Sequence, residues 1–387
     1  MYKILTLNNI SELGLARFTS SDYTISDDEP QPDAIILRSF KMHDMELPKS
    51  LKAVGRAGAG VNNIPLDKMS AAGIPVFNAP GANANAVKEL VIGSLFLAAR
   101  NLSQAVQYTD SLEGDDASLS KAVEAGKKKF AGYELPGKTI GVVGLGAIGR
   151  MVANTCIELG MNVIGFDPGL TVDGAWQLSS RIVRANSVEQ ILPKVDFLTV
   201  HVPLIDATRD LINADNVSKM HDRAVIINLA RGGIVNDEAV CDALDANKLG
   251  TYITDFPNNR TKKSPRVIGL PHLGASTGEA EDNCAVMVAD QVMEYLEHGN
   301  VVNSVNFPNV SMPRGSDYRM VVCNANVPNM VGQISTIMAD ANLNINDMIN
   351  QSRGEIAYTI VDVDSEIPSS VVDTIKQLDG IMIARRV

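Results

Sequence analysis

Thr139-Ile-Gly-Val-Val-Gly-Leu-Gly-Ala-Ile-Gly-Arg150 is the stretch on which the fold turns. Thr139 to Val143 is short, β-prone and mostly apolar, and it runs straight into Gly144-x-Gly146-x-x-Gly149. An amphipathic helix pattern follows, with Met151, Val152, Cys156 and Leu159 apolar and Gly160 as its stop. Asn162 to Phe166 then reads as a second strand, ending at Asp167. The three glycines differ in what they permit. Gly144 allows a tight turn, Gly146 lets the backbone approach a pyrophosphate, and Gly149 lets helix and strand pack closely. The free amides and dipole of the helix start favour phosphate there. Asp167 stands where a carboxylate can accept hydrogen bonds from ribose hydroxyls and would repel a 2′-phosphate, which favours NAD over NADP.

Working outward, the 387 residues exceed one ordinary core, so two or three domains are expected. A net charge of -11 and the lack of a long basic block argue against nucleic acid as a partner. Cys156, Cys241, Cys284 and Cys323 form no CxxC, zinc or disulfide pattern, and no metal site is expected. The apolar run from Leu90 to Ala99 is too short for a bilayer, and the opening Met1-Tyr-Lys-Ile-Leu5 enters a strand directly. These features point to a reducing cytoplasm and no membrane.

Strand and helix signals alternate through residues 1 to about 100, with strands expected at Tyr2–Leu7, Ala34–Leu37, Lys52–Val54 and Pro75–Phe77. Asn85 to Arg100 is a long helix pattern, and 101–138 is polar, ending in Lys127-Lys-Lys129. From Lys138 to His272 further strand signals recur at Thr139–Val143, Asn162–Phe166, Arg181–Arg184, Asp196–Val200, Ala224–Asn228, Thr251–Thr254 and Arg266–Leu270. Gly144, Asp167, His201, Arg231, Asp255 and His272 each follow one of these strands closely. In an open parallel sheet those ends share one edge, the edge where ligands bind. Gly278 to Gly299 is a helix pattern, and the proline-bearing segment after it reads as a linker. The last 70 or so residues alternate strand, helix, strand, strand, helix, strand, a ferredoxin-like order.

Five motifs now carry a resemblance. They are Gly55-Arg-Ala-Gly-Ala-Gly-Val-Asn-Asn63, Gly144-Leu-Gly-Ala-Ile-Gly149, His201-Val-Pro-Leu204, Asn228-Leu-Ala-Arg-Gly-Gly-Ile-Val235 and Pro271-His-Leu-Gly-Ala-Ser-Thr277. The chain resembles the D-2-hydroxyacid dehydrogenase family over nearly its whole length, and its C-terminal part resembles an ACT domain. The resemblance implies an α/β fold: a Rossmann-like doubly wound NAD domain (99–274) inserted in a flavodoxin-like substrate domain (1–98 and 275–303). A linker (304–317) and a ferredoxin-like α+β ACT-like regulatory domain (318–387) would follow. It implies oxidation of a phosphorylated 2-hydroxy acid, 3-phospho-D-glycerate, at the first step of serine synthesis.

By motif, Arg231 would grip the substrate carboxylate and its 2-oxygen, as suits a forked, permanently charged guanidinium. His272 would be the acid–base, since an ordinary imidazole works both ways near neutral pH. Gly144, Gly146, Ala147, Ile148, Gly149 and Asp167 would hold NAD, together with His201, Val202, Pro203, Ala230, Arg231, Asp255, His272, Gly274 and Ala275. Arg56, Ala59 and Gly60 would join Arg231 and His272 at the substrate. Lys127, Lys128 and Lys129 read either as solvated surface or as a basic segment reaching a neighbouring subunit of a homodimer or homotetramer. Asn324, Asn326 and Asn344 are the expected contacts of an amino-acid effector.

The sequence also departs from the pattern. The family pairs its histidine with a glutamate five residues after the aspartate matched by Asp255; here Arg260 stands there, or Asn259 if the match runs through Phe256-Pro257. Asn62 replaces the usual aspartate, and in the ACT-like part Asn324 and Asn329 replace the histidine and glycine usual where serine binds. Two alternatives follow: reduction of a phosphate-free 2-oxo acid such as glyoxylate or hydroxypyruvate, which would not need Arg56, and an NAD-sensing binding protein on the same scaffold.

Overall fold

The computed structural model describes residues 1–387, and contacts divide them into two compact units, Met1–Asn83 with Gly278–Val387, and Ala84–Thr277.

The first unit opens with five strands: β1 (Tyr2–Leu7), β2 (Tyr23–Ser26), β3 (Ala34–Leu37), β4 (Ala53–Arg56) and β5 (Val76–Asn78). All neighbouring pairs are parallel and the order is β2-β1-β3-β4-β5, the flavodoxin-like arrangement. Strand β3 is Ala-Ile-Ile-Leu with every residue buried, as expected of a parallel strand covered on both faces. Strand β2 is absent from the sequence-based expectation because Thr24 and Ser26 dilute its apolar character.

The second unit holds β6 (Thr139–Val143), β7 (Asn162–Phe166), β8 (Val183–Arg184), β9 (Phe197–Val200), β10 (Ala224–Asn228), β11 (Leu249–Thr254) and β12 (Val267–Gly269). They form one parallel sheet in the order β12-β11-β10-β9-β6-β7-β8. The order reverses between β6 and β9, so the ligand crevice of a doubly wound sheet lies at the end of β6, at Gly144. The helix Ala84–Ala99, expected in the first domain, buries Val87, Val91 and Leu95 in the same core as Ile140 and Val152 of this unit. The polar stretch after it forms two helices, Leu102–Asp110 and Asp116–Gly126, which bury only Gly126. With almost no core side, they leave little apolar pattern to read.

The chain returns to the first unit through the helix Gly278–His298 and closes with β13 (Tyr318–Ala325), β14 (Ile345–Arg353), β15 (Ile356–Val363) and β16 (Ile381–Arg386). This antiparallel sheet has the order β14-β15-β13-β16. Met320, Val322, Val361 and Val363 face the helices Met330–Asp340 and Ser369–Lys376. On the other face Val321, Cys323, Tyr358 and Ile360 share a core with Phe77, Tyr295 and Phe307. Antiparallel sheets commonly leave one face to water; this one has every residue of β15 buried.

The segment expected as a linker packs closely too, with Phe307, Val310 and Met312 buried. Arg319 pins it. The guanidinium is 1% exposed and meets Asp362 through Nε (2.6 Å) and Nη2 (2.8 Å). It also donates to the carbonyls of His298 (3.0 Å), Met312 (3.0 Å) and Pro313 (2.9 Å). Burial pushes the Asp362 carboxyl up, but the bonds from Arg319 and the Gly315 N–H outweigh it and hold its pKa below the ordinary value.

Candidate active site

The glycine turn is built as its sequence requires. Gly144 has φ 89°, and a Cβ there would meet the His201 carbonyl oxygen at 2.6 Å. A Cβ at Gly149 would collide with the Gly144 carbonyl. A Cβ at Gly146 would meet nothing within 4 Å. The first and third glycines therefore serve the chain's own packing, whereas the second keeps open a space that the chain does not use. Gly146 caps the helix Ala147–Glu158 without a side-chain bond, and that helix has no acidic residue in its first turn. Its leading amides are thus uncompensated donors, as a pyrophosphate requires.

Asp167 follows β7 and braces this turn: Oδ2 accepts from the Leu145 N–H (2.8 Å) and Oδ1 from the Gly169 N–H (2.7 Å). Each oxygen retains lone-pair capacity for a ribose hydroxyl. Beside it lies a cavity of about 600 Å³ with Leu145, Phe166, Pro168, Leu170 and Arg184 in its wall, apolar enough for an adenine. Glycine turn, acid and cavity together fit a dinucleotide.

His201 follows β9. Its Nε2 lies 3.0 Å from Thr199 Oγ1, and its Nδ1 is buried without a partner. Burial lowers its pKa to about 4, so the ring is neutral in ordinary conditions. Its motif continues in Val202 and Pro203, whose carbonyl accepts from Thr208 Oγ1 at 2.5 Å.

Arg231 follows β10, and the residue that shapes its turn is Asn228, 1% exposed at the end of that strand. The Asn228 Nδ2 donates to the Arg231 carbonyl (2.8 Å), and its Oδ1 accepts from the Ala230 N–H (3.2 Å) and more loosely from the Arg231 N–H (3.4 Å). The backbone of Arg231 is thereby fixed, while its half-buried guanidinium stays outside the chain's own ion pairs. Sequence reasoning overlooks Asn228, although an amide ending a wholly apolar strand on the ligand edge was a usable signal.

Asp255 follows β11 and is 2% exposed. Its Oδ1 accepts from the Leu273 N–H (2.9 Å) and its Oδ2 from the Gly274 N–H (2.8 Å). This buried carboxylate thus clamps the turn carrying His272, whose φ of 57° is left-handed and uncommon for a residue with a side chain. The His272 ring is exposed and packs on Phe256, ring centroids 5.0 Å apart. Gly274 is buried against Asp255, and the half-buried Ala275 follows it. Arg260 is committed elsewhere: Nε bonds Glu238 (3.2 Å), and Nη2 bonds Asp242 (3.0 Å) and Asp245 (2.8 Å).

In the other unit the Arg56 Nε donates to the Arg38 carbonyl (3.0 Å), and the Ala59 carbonyl accepts from Asn78 Nδ2 (2.6 Å) one residue before Gly60. The three expected effector residues do not meet within the chain. Asn324 and Asn326 lie at the β13 end that pairs with Ile356, whereas Asn344 precedes Ile345, which pairs with Val363 at the opposite end. Asn324 is 1% exposed, with Nδ2 on the Ala325 carbonyl (2.7 Å). Asn329 adopts φ 69°, the conformation for which glycine is the usual residue.

With this geometry in place, the comparisons with known proteins are direct. Residues 92–274 match the family described as D-isomer specific 2-hydroxyacid dehydrogenase, NAD binding domain. A D-3-phosphoglycerate dehydrogenase of Haemophilus influenzae is 33% identical over 353 residues, 88% of this chain and 82% of that protein. The chain belongs to the D-isomer specific 2-hydroxyacid dehydrogenase family. The enzyme of the same name from Methanocaldococcus jannaschii is 35% identical over 340 residues, 86% of this chain; the chain spans only 62% of that relative's length. Among solved structures, apo Rhodotorula graminis D-mandelate dehydrogenase shares the dehydrogenase fold at a TM-score of 0.67 and 21% identity, covering 81% of this chain and 99% of that one. The NAD+-bound 3-phosphoglycerate dehydrogenase of Entamoeba histolytica does so at 0.61 and 23%, covering 79% and 98%. No helix of the chain is long and apolar enough to cross a membrane.

Proposed function

We propose that this dehydrogenase oxidises 3-phospho-D-glycerate to 3-phosphooxypyruvate with NAD, opening serine synthesis. One observation carries the reading: Arg231, with a fixed backbone and an uncommitted guanidinium, stands on the same sheet edge as the glycine turn and His272. Arg231 grips the substrate carboxylate and C2 oxygen through its fork. His272 takes the C2 hydroxyl proton, and Asp255 holds His272 in place from behind. NAD, when bound, accepts the hydride that leaves C2. Asp167 favours it over NADP because a second negative charge beside the carboxylate is repelled. Arg56 answers the substrate phosphate, with Ala59 and Gly60 beside it in the loop.

Exposed Leu102, Val106 and Val123 on helices with almost no core side support a homo-oligomer. Four free, buried cysteines suit the cytoplasm. The C-terminal domain, ACT-like in its element order, is the part suited to an amino-acid effector, with Asn324 and Asn326 near the start of the helix Met330–Asp340.

A substrate panel with NAD and NADP tests the reading. Turnover should be greatest with 3-phospho-D-glycerate and NAD. Preference for glyoxylate or hydroxypyruvate, equal use of NADP, or NAD binding without turnover would each replace it.

A further inference from the structure

Within the first unit, the end of β5 and the exposed end of β14 line an open pocket of about 520 Å³ that the proposed reaction does not use. Its wall carries Asn78, Asn303, Ser304, Asn309, Gln351, Ser352 and Arg353, and no carboxylate. That is unusual in a chain with 45 acidic residues against 34 basic ones. The charge of Arg353 is met by carbonyls alone: its Nη1 donates to Ser304 (3.0 Å) and Phe307 (3.4 Å). Those two bonds hold the guanidinium in place and leave its other N–H groups undirected.

The cavity also touches the substrate loop. Asn78 lines it and donates through Nδ2 to the Ala59 carbonyl at 2.6 Å, and the next residue, Ala79, donates its N–H to the Gly58 carbonyl at 3.0 Å. Both acceptors belong to Gly55–Asn63, the loop that carries Arg56. Gln351, Ser352 and Arg353, which also line it, belong to the C-terminal sheet. A ligand here would therefore bridge the C-terminal domain and the substrate loop.

We infer that this pocket is a second, regulatory anion site, which takes a small carboxylate or phosphate on Arg353 and the neighbouring side chains of Asn303, Gln351 and Ser352. A guanidinium ringed by neutral donors in a wall without carboxylates selects for anions. Occupancy draws on Asn78 and so shifts the loop holding Arg56, which changes the KM for the phosphorylated substrate. The kinetic consequence rests on the proposed dehydrogenase activity; the binding itself does not.

The test uses the full chain, with inorganic phosphate and malonate titrated separately by calorimetry. Anion that binds at the substrate site would survive in Arg353→Gln, so the variant isolates the second site. Loss of the charge-assisted bonds should weaken that site at least about tenfold. Because Arg353 also ties Ser304 and Phe307, a second variant guards against local unfolding: Asn309→Asp keeps an acceptor for the Asn303 N–H but adds a negative charge to the wall. It should weaken binding similarly. A response to phosphate alone or to malonate alone would say which anion class the site takes. In initial-rate assays the anion should change the substrate KM in the wild type and not in either variant, whose basal rates should match the wild type. Equal anion binding by wild type and both variants, or purely competitive inhibition that both variants retain, would overturn the inference.

Discussion

Arg231 and Arg319 carry the same charge and meet opposite surroundings. Arg319 is sealed between the C-terminal sheet and the end of the helix Gly278–His298, with a bidentate carboxylate and backbone carbonyls filling its donors. Arg231 sits on the ligand edge of the seven-stranded sheet, its backbone tied by Asn228 and its guanidinium unclaimed. A buried ion pair with every donor satisfied has no capacity left for a ligand and holds structure. A guanidinium held in place but left unsatisfied is ready for an anion that the chain does not supply. The same contrast separates the acids: Asp362 is consumed by Arg319, whereas Asp255 spends its oxygens on the turn that leaves the His272 ring free.

Substitutions can break this contrast on either side. The largest effect belongs to His272→Ala. If His272 is the proton acceptor proposed above, its loss should cut kcat by about a hundred- to ten-thousand-fold, while NAD affinity holds and the melting temperature falls only slightly, because the ring is exposed. On the structural side, Arg319→Ala leaves Asp362 buried and unpaired and should lower unfolding free energy by about 3–5 kcal/mol in denaturant titration. The double variant Arg319→Met with Asp362→Leu should recover most of that loss; failure to recover would mean that the carbonyl bonds, not the ion pair, hold the junction.

Asp255→Asn sharpens the comparison at a smaller scale. The variant turns an amide donor toward one of the Leu273 and Gly274 N–H groups, at a cost of about 1–3 kcal/mol. If Asp255 acts through the His272 turn, kcat falls and the dissociation constant for NAD does not; a change in NAD affinity alone would make it a cofactor contact. The last effect appears only in acid. The His201 pKa is about 4 when folded, against an ordinary 6.5. Between those values the unfolded chain binds more protons, so stability falls as pH drops from 6.5 towards 4. A His201→Gln variant should show a flatter stability profile there; an unchanged profile would place the acid sensitivity elsewhere.

Much of this architecture was legible in the sequence because its signals were local. The Gly144–Gly149 spacing, the apolar strands β6 and β10 and the βαββαβ order of the C-terminal domain all announce themselves within a few residues. Other features depend on what folds against them. The helices Leu102–Asp110 and Asp116–Gly126 bury almost nothing, so no apolar period betrays them. Strand β2 hides behind Thr24 and Ser26. Arg260 reads from sequence as a cation displacing a carboxylate beside His272, yet the helix Asp237–Asp245 supplies its acidic partners. Asn344 reads from sequence as a companion to Asn324, but the register of β14 sets it at the other end of the sheet.

The central claim is that the unclaimed guanidinium of Arg231 exists for the substrate. Its most direct test is kcat/KM for 3-phospho-D-glycerate in Arg231→Lys against wild type, with melting temperatures measured alongside. A lysine keeps the charge but not the fork, so kcat/KM should fall at least about tenfold, the loss of one charge-assisted bond, while the melting temperature stays the same. Near-normal turnover with 3-phospho-D-glycerate, or a loss matched by a fall in melting temperature, would contradict the account.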